Sequence, residues 1–249
     1  MQSGKIFVIS HRQFKAPDIP GYQVLLVGKK DFYMSGALRD DTGINIADKN
    51  SNYCELTGLY WIWKNCSFKG YVGLVHYRRY FSYLPFFKNS LFFLHDSQIN
   101  KILKKYDCIL PEPFKLSVSV RDNYFKYGEG KKKDLNTTRE IISRLYPEYV
   151  SSFDKILNKK KLSYCNMFIM KSKELMDDYC TWLFDILFEV EKETDLTDYT
   201  ASEARIYGYL SEILLNVWID KNNIKVKFEP MMFVNQTVFE KAKRVLKGL

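Results

Sequence analysis

Residues 69–81, KGYVGLVHYRRYF, are the stretch that decides the fold of this chain. The apolar run YVGLV predicts a strand buried on both faces, and HYRRYF follows it as a polar, aromatic tip. Three similar runs predict further strands: KIFVIS at 5–10, VLLVG at 24–28 and DCILP at 107–111. Because stretches with helical periodicity separate these strands, as at 53–66, the pattern favours a three-layer α/β fold with a mostly parallel central sheet.

The second half of the chain predicts more helix than strand. After an irregular basic stretch at 112–139, we expect helices near 139–158, 172–192 and 201–220, with strands at 163–170 and 224–230. The chain shows no repeat and no obvious linker. We therefore expect a single domain over residues 1–249, with a mostly helical C-terminal part and a basic tail at about 236–249.

Composition narrows the classes of protein that remain. With 46% hydrophobic residues in 249, the chain can bury a large core, so disorder is excluded for most of it. The net charge of +9 indicates a polyanionic partner, which is nucleic acid, anionic lipid or a phosphorylated small molecule.

Five cysteines without a CxxC pair predict free thiols, and no apolar run has membrane-spanning length. We expect a cytoplasmic location.

Polar side chains follow three of the predicted strands. Ser10 and His11 follow the first, the segment from His76 to Arg79 follows the third, and Glu112 follows the fourth. In open α/β sheets ligands bind at the carboxyl ends of strands, so these residues predict one crevice. Guanidinium groups beside an imidazole suit phosphate oxygens, although solvated arginines at a strand end are the alternative.

The loop at 34–50 contains Asp40, Asp41 and Asn45, which could hold a divalent cation or a ribose. The alternative is a capped turn, because aspartate and asparagine favour turns. No DxD motif, the usual pair of carboxylates for a divalent cation, follows an apolar strand. Binding of Mn²⁺ or Mg²⁺ is therefore possible, but the sequence identifies no site for it. Positive side chains at the third strand's end would then neutralise a leaving diphosphate.

One carboxylate stands in an apolar helical run. Glu212 lies in RIYGYLSEILLNVWI, seven residues after Arg205 and hence on the same helix face. Burial would raise the pKa of this carboxyl toward that of a useful general base. An ion pair between the two side chains is the structural alternative.

Taken in order, several segments resemble a known bacterial family. They are ISHR, DDTGINIADKNSNYCELTGLYWIWKN, YVGLVHYRRYF, CILPEPF, YCNMFIM, DYCTWLFDILFEVE and RIYGYLSEILLNVWI, and they cover about residues 4–235. The family was long catalogued as a domain of unknown function and occurs in capsule, exopolysaccharide and lipopolysaccharide O-antigen gene clusters. Its members are taken to be glycosyltransferases of GT-A type, some of them linked to galactofuranose transfer.

The resemblance implies transfer of a sugar, galactofuranose or another hexose, from a nucleotide-diphosphate donor such as a UDP-sugar to a glycan hydroxyl. It assigns catalysis to Glu212 as base, with His76, Arg78 and Arg79 stabilising the departing diphosphate. It assigns the donor nucleotide to Ser10, His11, Asp40, Asp41, Asn45, Asn50 and Tyr77. It assigns the sugar or acceptor to Glu112, Asn166, Met167 and Arg205. Inversion fits a base at Glu212, whereas a retaining enzyme would need none.

The acceptor that the resemblance implies is a glycan or a lipid-linked glycan. Lys131 to Lys133 and the tail residues Lys241, Lys243, Arg244 and Lys247 could then hold the protein at the anionic inner face of a membrane. Plain solubility is the simpler explanation of these charges. Two rival functions stay open, a nucleic-acid-binding α/β protein and a non-catalytic glycan-binding member of the same fold. The first lacks any RNP, KH or zinc-finger pattern.

Overall fold

The computed structural model of the chain describes residues 4–29, 31–86, 89–126 and 130–234. The strands in these ranges are β1 (Lys5–Ser10), β2 (Tyr22–Leu26), β3 (Leu38–Arg39), β4 (Val72–His76), β5 (Arg79–Phe81), β6 (Cys108–Pro111), β7 (Phe114–Lys115), β8 (Lys161–Leu162), β9 (Phe168–Met170), β10 (Val226–Glu229) and β11 (Met231–Phe233). The α-helices are α1 (Asn50–Tyr53), α2 (Leu56–Asn65), α3 (Asp96–Leu103), α4 (Val120–Lys126), α5 (Lys132–Leu145), α6 (Val150–Leu157), α7 (Lys173–Glu193) and α8 (Ile206–Lys221).

A central sheet runs in the order β10-β6-β9-β4-β1-β2-β3. Strand β9 is antiparallel to both of its neighbours, and the other neighbouring pairs in this order are parallel. The predicted α/β fold with a mostly parallel sheet is therefore confirmed. Since β1 and β4 lie in the middle, their apolar runs are buried on both faces, as continuous hydrophobicity predicts.

Hydrophobic cores cover the two faces of the sheet. The larger core packs α2, α7 and α8 against one face, and the smaller core lies on the other face around Phe81, Phe93 and Ile99. Three of the four tryptophans are buried in the larger core, namely Trp61, Trp182 and Trp218. The fourth, Trp63, is partly buried and stacks on Phe184 with ring centroids 5.6 Å apart.

The segment HYRRYF forms a hairpin rather than an extended tip. Tyr77 and Arg78 form the turn, and His76 pairs with Arg79 across it. Strand β5 pairs on its other side with β11, antiparallel. The third strand therefore ends in a folded turn that is supported from both sides, which fixes where its arginines lie.

Four other predicted elements differ from the structure. The helix predicted at 53–66 is interrupted at Cys54, which has a positive φ of 54°. The helix predicted at 139–158 is two helices, because Pro147 has no N–H to continue the first. The stretch 112–139, predicted to be irregular, contains α4 and the first half of α5. The strand predicted at 163–170 is confined to its last three residues, since Cys165 and Asn166 both have positive φ.

Candidate functional site

The carboxyl ends of β1, β2 and β4 open into a cavity of about 410 Å³, which we call the main cavity. The backbone N–H of Tyr77 donates to the carbonyl of Ile9 at 3.0 Å, so the ends of β1 and β4 are held side by side. The main cavity is lined by Ile9, Ser10, His11, Val27, Asn50, Ser51, Cys54, Glu55, His76, Tyr77, Arg78, Arg79 and Arg205. The residues predicted at the ends of the first and third strands therefore line one cavity, whereas Glu112, predicted to join them, does not.

A second cavity of about 220 Å³, the side cavity, shares four lining residues with the main cavity. The shared residues are Cys54, Glu55, Arg79 and Arg205. The start of α8 and the loop before β9 complete its lining with Tyr164, Cys165, Gly208, Tyr209 and Glu212. Arg205 and Glu212 both line the side cavity, although Arg205 precedes the helix on whose face it was predicted to lie.

The hairpin turn presents an aromatic ring between two guanidinium groups. The carbon Cζ of Arg78 lies 5.0 Å from the ring centroid of Tyr77, and Cζ of Arg12 lies 5.6 Å from it. Cation–π contacts of this kind hold both charges beside Tyr77, which lines the main cavity. The backbone N–H of Val234 donates to the carbonyl of Arg78 at 2.9 Å and fixes the turn.

His76 is held as a neutral ring. Its Nε2 donates to the carbonyl oxygen of Cys165 at 2.6 Å. Burial lowers the pKa of His76, and the charge of Arg79 lowers it further against the opposing effect of Glu55. The lowered pKa disfavours a positive charge on this imidazole at neutral pH, and its role at a diphosphate stays a prediction. Positive charge in the main cavity comes from the arginines.

Arg79 is the half-buried cation that both cavities share. The Cys165 thiol, and then the carboxylates of Glu212 and Glu55, raise the pKa of its guanidinium. A fixed guanidinium fork with a permanent charge is the group that best matches phosphate oxygens. Its position at the first residue of β5 makes it the strongest anion-binding feature of the site.

A strained turn holds both carboxylates of the side cavity. Cys165 and Asn166 are consecutive non-glycine residues with φ of 80° and 47°. The N–H of Cys165 donates to Oε1 of Glu212 at 2.7 Å, and Nδ2 of Asn166 donates to Oε1 of Glu55 at 2.6 Å. Residues held in such conformations cluster at functional sites, because their surroundings must offset the strain.

Glu55 is the charged lining residue of the two cavities that our sequence reasoning missed. It follows the positive-φ break at Cys54 and precedes α2, so the break turns its side chain toward the cavities. It is the one acidic residue of the segment CELTGLYWIWKN. That lone carboxylate in an apolar, aromatic stretch was the available signal.

The acidic loop after β2 does not reach either cavity. Asp41 forms an ion pair with Arg39 at 2.7 Å, and the side chain of Asn45 closes its own turn by donating to the carbonyl of Gly43. Asp40 is fully buried, and its Oδ1 accepts from the N–H of Gly28 at 2.9 Å. For these three residues the geometry supports the capped-turn alternative over nucleotide binding.

Asp40 makes stability depend on pH in a defined direction. Burial raises the pKa of its carboxyl from 3.8 to about 6. A raised pKa contributes stability that is complete below the unfolded value and is lost as pH rises through the folded value. We therefore expect the free energy of unfolding to fall by up to about 3 kcal/mol between pH 4 and 7 from this group.

The substitution Asp40→Asn should remove that slope, as measured by urea unfolding at several pH values. Asp41→Asn is the matched control, because Arg39 lowers the pKa of Asp41 and its stabilisation is lost only as pH falls. An unchanged slope in Asp40→Asn would contradict the assignment.

Two residues predicted to bind sugar or acceptor lie elsewhere. Met167 is fully buried in the smaller core, because its side chain points to the opposite side of the sheet from the cavities. Glu112 is exposed at the end of β6 and lines neither cavity. Asn166 is buried and touches the site through Glu55, and Arg205 lines both cavities.

Of the basic residues predicted to contact a membrane, Lys131 and Lys133 have partners within the chain, and Lys132 is exposed. Nζ of Lys131 donates to the carbonyl of Asp198 at 2.6 Å, and Nζ of Lys133 lies 4.9 Å from the ring centroid of Tyr199. These two lysines hold the segment between α7 and α8. The predicted tail at 236–249 lies outside the described residues.

Within the described ranges, no three His, Cys, Asp or Glu side chains are grouped so that they could hold a metal ion. A search of the same part of the chain finds no helix with the length and apolarity needed to cross a membrane.

Comparison with known proteins identifies the family of the chain. No curated protein matches it. One solved structure, described as the WbbM bifunctional glycosyltransferase in its apo form, matches with a TM-score of 0.83 and 30% sequence identity. The match covers 94% of this chain and 46% of that one, so this chain spans about half the length of its structural relative. A family model matches residues 5–223, and the chain therefore belongs to the family described as domain of unknown function DUF4422.

Proposed function

We propose that this chain is a glycosyltransferase that transfers a sugar from a nucleotide-diphosphate donor to the hydroxyl of a glycan acceptor. The observation that carries the proposal is the likeness, over 94% of this chain, to a structure described as a bifunctional glycosyltransferase. The arrangement of cations at the strand ends gives that likeness a chemical basis.

The main cavity suits the nucleoside diphosphate. Its volume of about 410 Å³ lies in the range of small-molecule sites, and its polar groups converge from several elements. Arg79 and Arg78 offer guanidinium groups for the diphosphate, and Ser10, His11 and Asn50 line the part that would take the nucleoside. We take UDP as the nucleotide, as the family resemblance implies.

The side cavity suits the transferred sugar. Its volume of about 220 Å³ is suited to one sugar ring, and carboxylates and guanidinium groups that can bind sugar hydroxyls line it. Tyr209 offers an aromatic face that can pack on the apolar side of a sugar ring. A hexose, galactofuranose among the candidates, is the donor sugar that we propose.

The reaction follows from this placement. An acceptor hydroxyl attacks the anomeric carbon, the bond from that carbon to the diphosphate oxygen breaks, and the nucleoside diphosphate leaves with the electron pair. The hydroxyl proton passes to a carboxylate of the side cavity, and the configuration inverts. Arg79 and Arg78 stabilise the charge that develops on the diphosphate, so a divalent cation is not needed for that task.

Thermal shift with a panel of nucleotides and UDP-hexoses tests the proposal, in separate arms with Mn²⁺ and with EDTA. We expect UDP and a UDP-hexose to raise the melting temperature in both arms, because arginines hold the diphosphate. Absence of any shift with every nucleotide would contradict the proposed function. A shift that requires Mn²⁺ would contradict metal independence alone. Polysaccharide synthesis for capsule or O-antigen is the process that we propose for the product.

A further inference from the structure

We infer that Glu55, a residue the family resemblance did not single out, is the carboxylate that takes the proton from the acceptor hydroxyl. This inference rests on the proposed function and adds the identity of the base. The argument starts from where the two cavities meet.

The reacting carbon must lie at the junction of the cavities. It is bonded to the diphosphate, whose cationic partners line the main cavity, and it belongs to the sugar, which we place in the side cavity. The acceptor oxygen attacks at that carbon, so its base must reach the same junction. Only residues that line both cavities meet this requirement.

Four residues in the described ranges line both cavities, and three of them are unsuited to act as the base. Arg79 and Arg205 carry permanently protonated guanidinium groups. Burial raises the pKa of the Cys54 thiol to about 11, so its thiolate is scarce at neutral pH. Glu55 is the remaining residue, and a carboxylate is a suitable proton acceptor.

The environment of Glu55 holds it ready for this task. Asn166 binds one carboxylate oxygen of Glu55, Oε1, at 2.6 Å, and Glu55 lines both cavities. The amide of Asn166 is itself fixed, because it also donates to Oγ of Ser211 at 2.8 Å and lies in a buried turn. A base oriented through one oxygen keeps its second oxygen for the substrate.

Glu212 has a different position. Glu212 lines the side cavity but not the main cavity. Its Oε1 accepts a hydrogen bond from the N–H of Cys165, a residue of the strained turn. We assign Glu212 a positioning role, since it secures the turn whose next residue holds Glu55. The sequence-based assignment of the base to Glu212 is thus replaced by this proposal.

Isosteric substitutions separate the two carboxylates. Glu55→Gln keeps a carbonyl oxygen for the amide of Asn166 but cannot take a proton. We expect it to lower the rate of UDP release from the best-binding UDP-hexose by about 100-fold or more, with water or octyl galactoside as acceptor. The shift in melting temperature with UDP should stay at the wild-type value.

Two other variants complete the test. Glu212→Gln retains an acceptor for the N–H of Cys165, so we expect a loss below tenfold, whereas Glu212→Ala should lose more and also unfold at a lower temperature. Glu140→Gln, on the exposed face of α5, is the matched control for the chemistry of the substitution.

Each outcome bears on the inference. The inference is overturned if Glu55→Gln releases UDP at the wild-type rate, or if Glu212→Gln lowers that rate by 100-fold instead. The proposed function stands in both cases. Wild-type protein that binds no nucleotide and no nucleotide sugar overturns both. If the donor binds without turnover, a crystal of that complex decides the matter, because an anomeric carbon closer to Glu212 than to Glu55 overturns the inference.

Discussion

Replacing Arg79 by alanine is expected to weaken UDP binding by about 10- to 100-fold and to lower kcat/KM for sugar transfer by about 100- to 1,000-fold. Arg79 is half-buried, lines both cavities and keeps its charge beside the Cys165 thiol and two carboxylates. If a diphosphate binds as proposed, its charge would interact with this partly buried guanidinium more strongly than it would in bulk water. Titration calorimetry with UDP measures the loss of affinity.

Arg79→Lys separates charge from geometry. Lysine keeps the positive charge but loses the planar fork, so we expect its UDP affinity to lie between those of wild type and Arg79→Ala. Arg139→Ala is the matched control, because the guanidinium of Arg139 pairs with Asp154 on the surface, away from the cavities. Wild-type affinity in Arg79→Ala would contradict the placement of the diphosphate.

Asn166 is the position at which substitution should cost the most stability. It is buried, it has a φ of 47°, and its Nδ2 is within hydrogen-bond distance of Glu55, Gly208 and Ser211. Asn166→Asp places a carboxylate against Glu55, and we expect a loss of about 3–5 kcal/mol in urea unfolding, typical of an unpaired buried charge. Asn166→Gly keeps the backbone conformation and loses only the hydrogen bonds, at about 1–3 kcal/mol.

The difference between Asn166→Ala and Asn166→Gly isolates the cost of positive φ, which we expect to be about 1 kcal/mol. Asn223 provides the control, because it has a φ of 51° at an exposed position after α8. The free energies of unfolding of Asn223→Ala and Asn223→Gly should differ by a similar amount. Neither variant should show the further loss that we expect from the buried hydrogen bonds of Asn166. If Asn166→Gly proved as stable as wild type, the hydrogen bonds to this amide would not stabilise the fold.

Local patterns were sufficient to predict the central strands. The runs at 5–10 and 107–111 each contain a continuous apolar stretch, and the structure has β1 and β6 there. Conformations set by tertiary contacts were not predictable in this way. A positive φ at Cys54 or Cys165 has no signature in composition, since cysteine rarely adopts it, and both breaks shorten elements that periodicity extends.

The site was predictable in position but not in membership. The ends of β1 and β4 do line one cavity, because parallel strands bring their carboxyl ends to the same edge. Glu55 and Asn166 are 111 residues apart and meet only in the fold, so no motif in the sequence links them. Asp40 and Asp41 were predicted to bind a ligand but line neither cavity. Aspartate is favoured both in turns and as a cation ligand, so the residue type alone could not separate the two roles.

Strand β11, in the last part of the described chain, supports the hairpin that carries Arg78 and Arg79. It pairs with β5, and the N–H of Val234 closes on the turn at Arg78, while β10 borders β6 at the sheet edge. The family match ends at residue 223, before both strands. A fragment excised at that boundary would keep every side chain of the two cavities and lose the scaffold that orients the hairpin. Expression boundaries for this family are therefore better drawn beyond residue 234 than at the limit of sequence similarity.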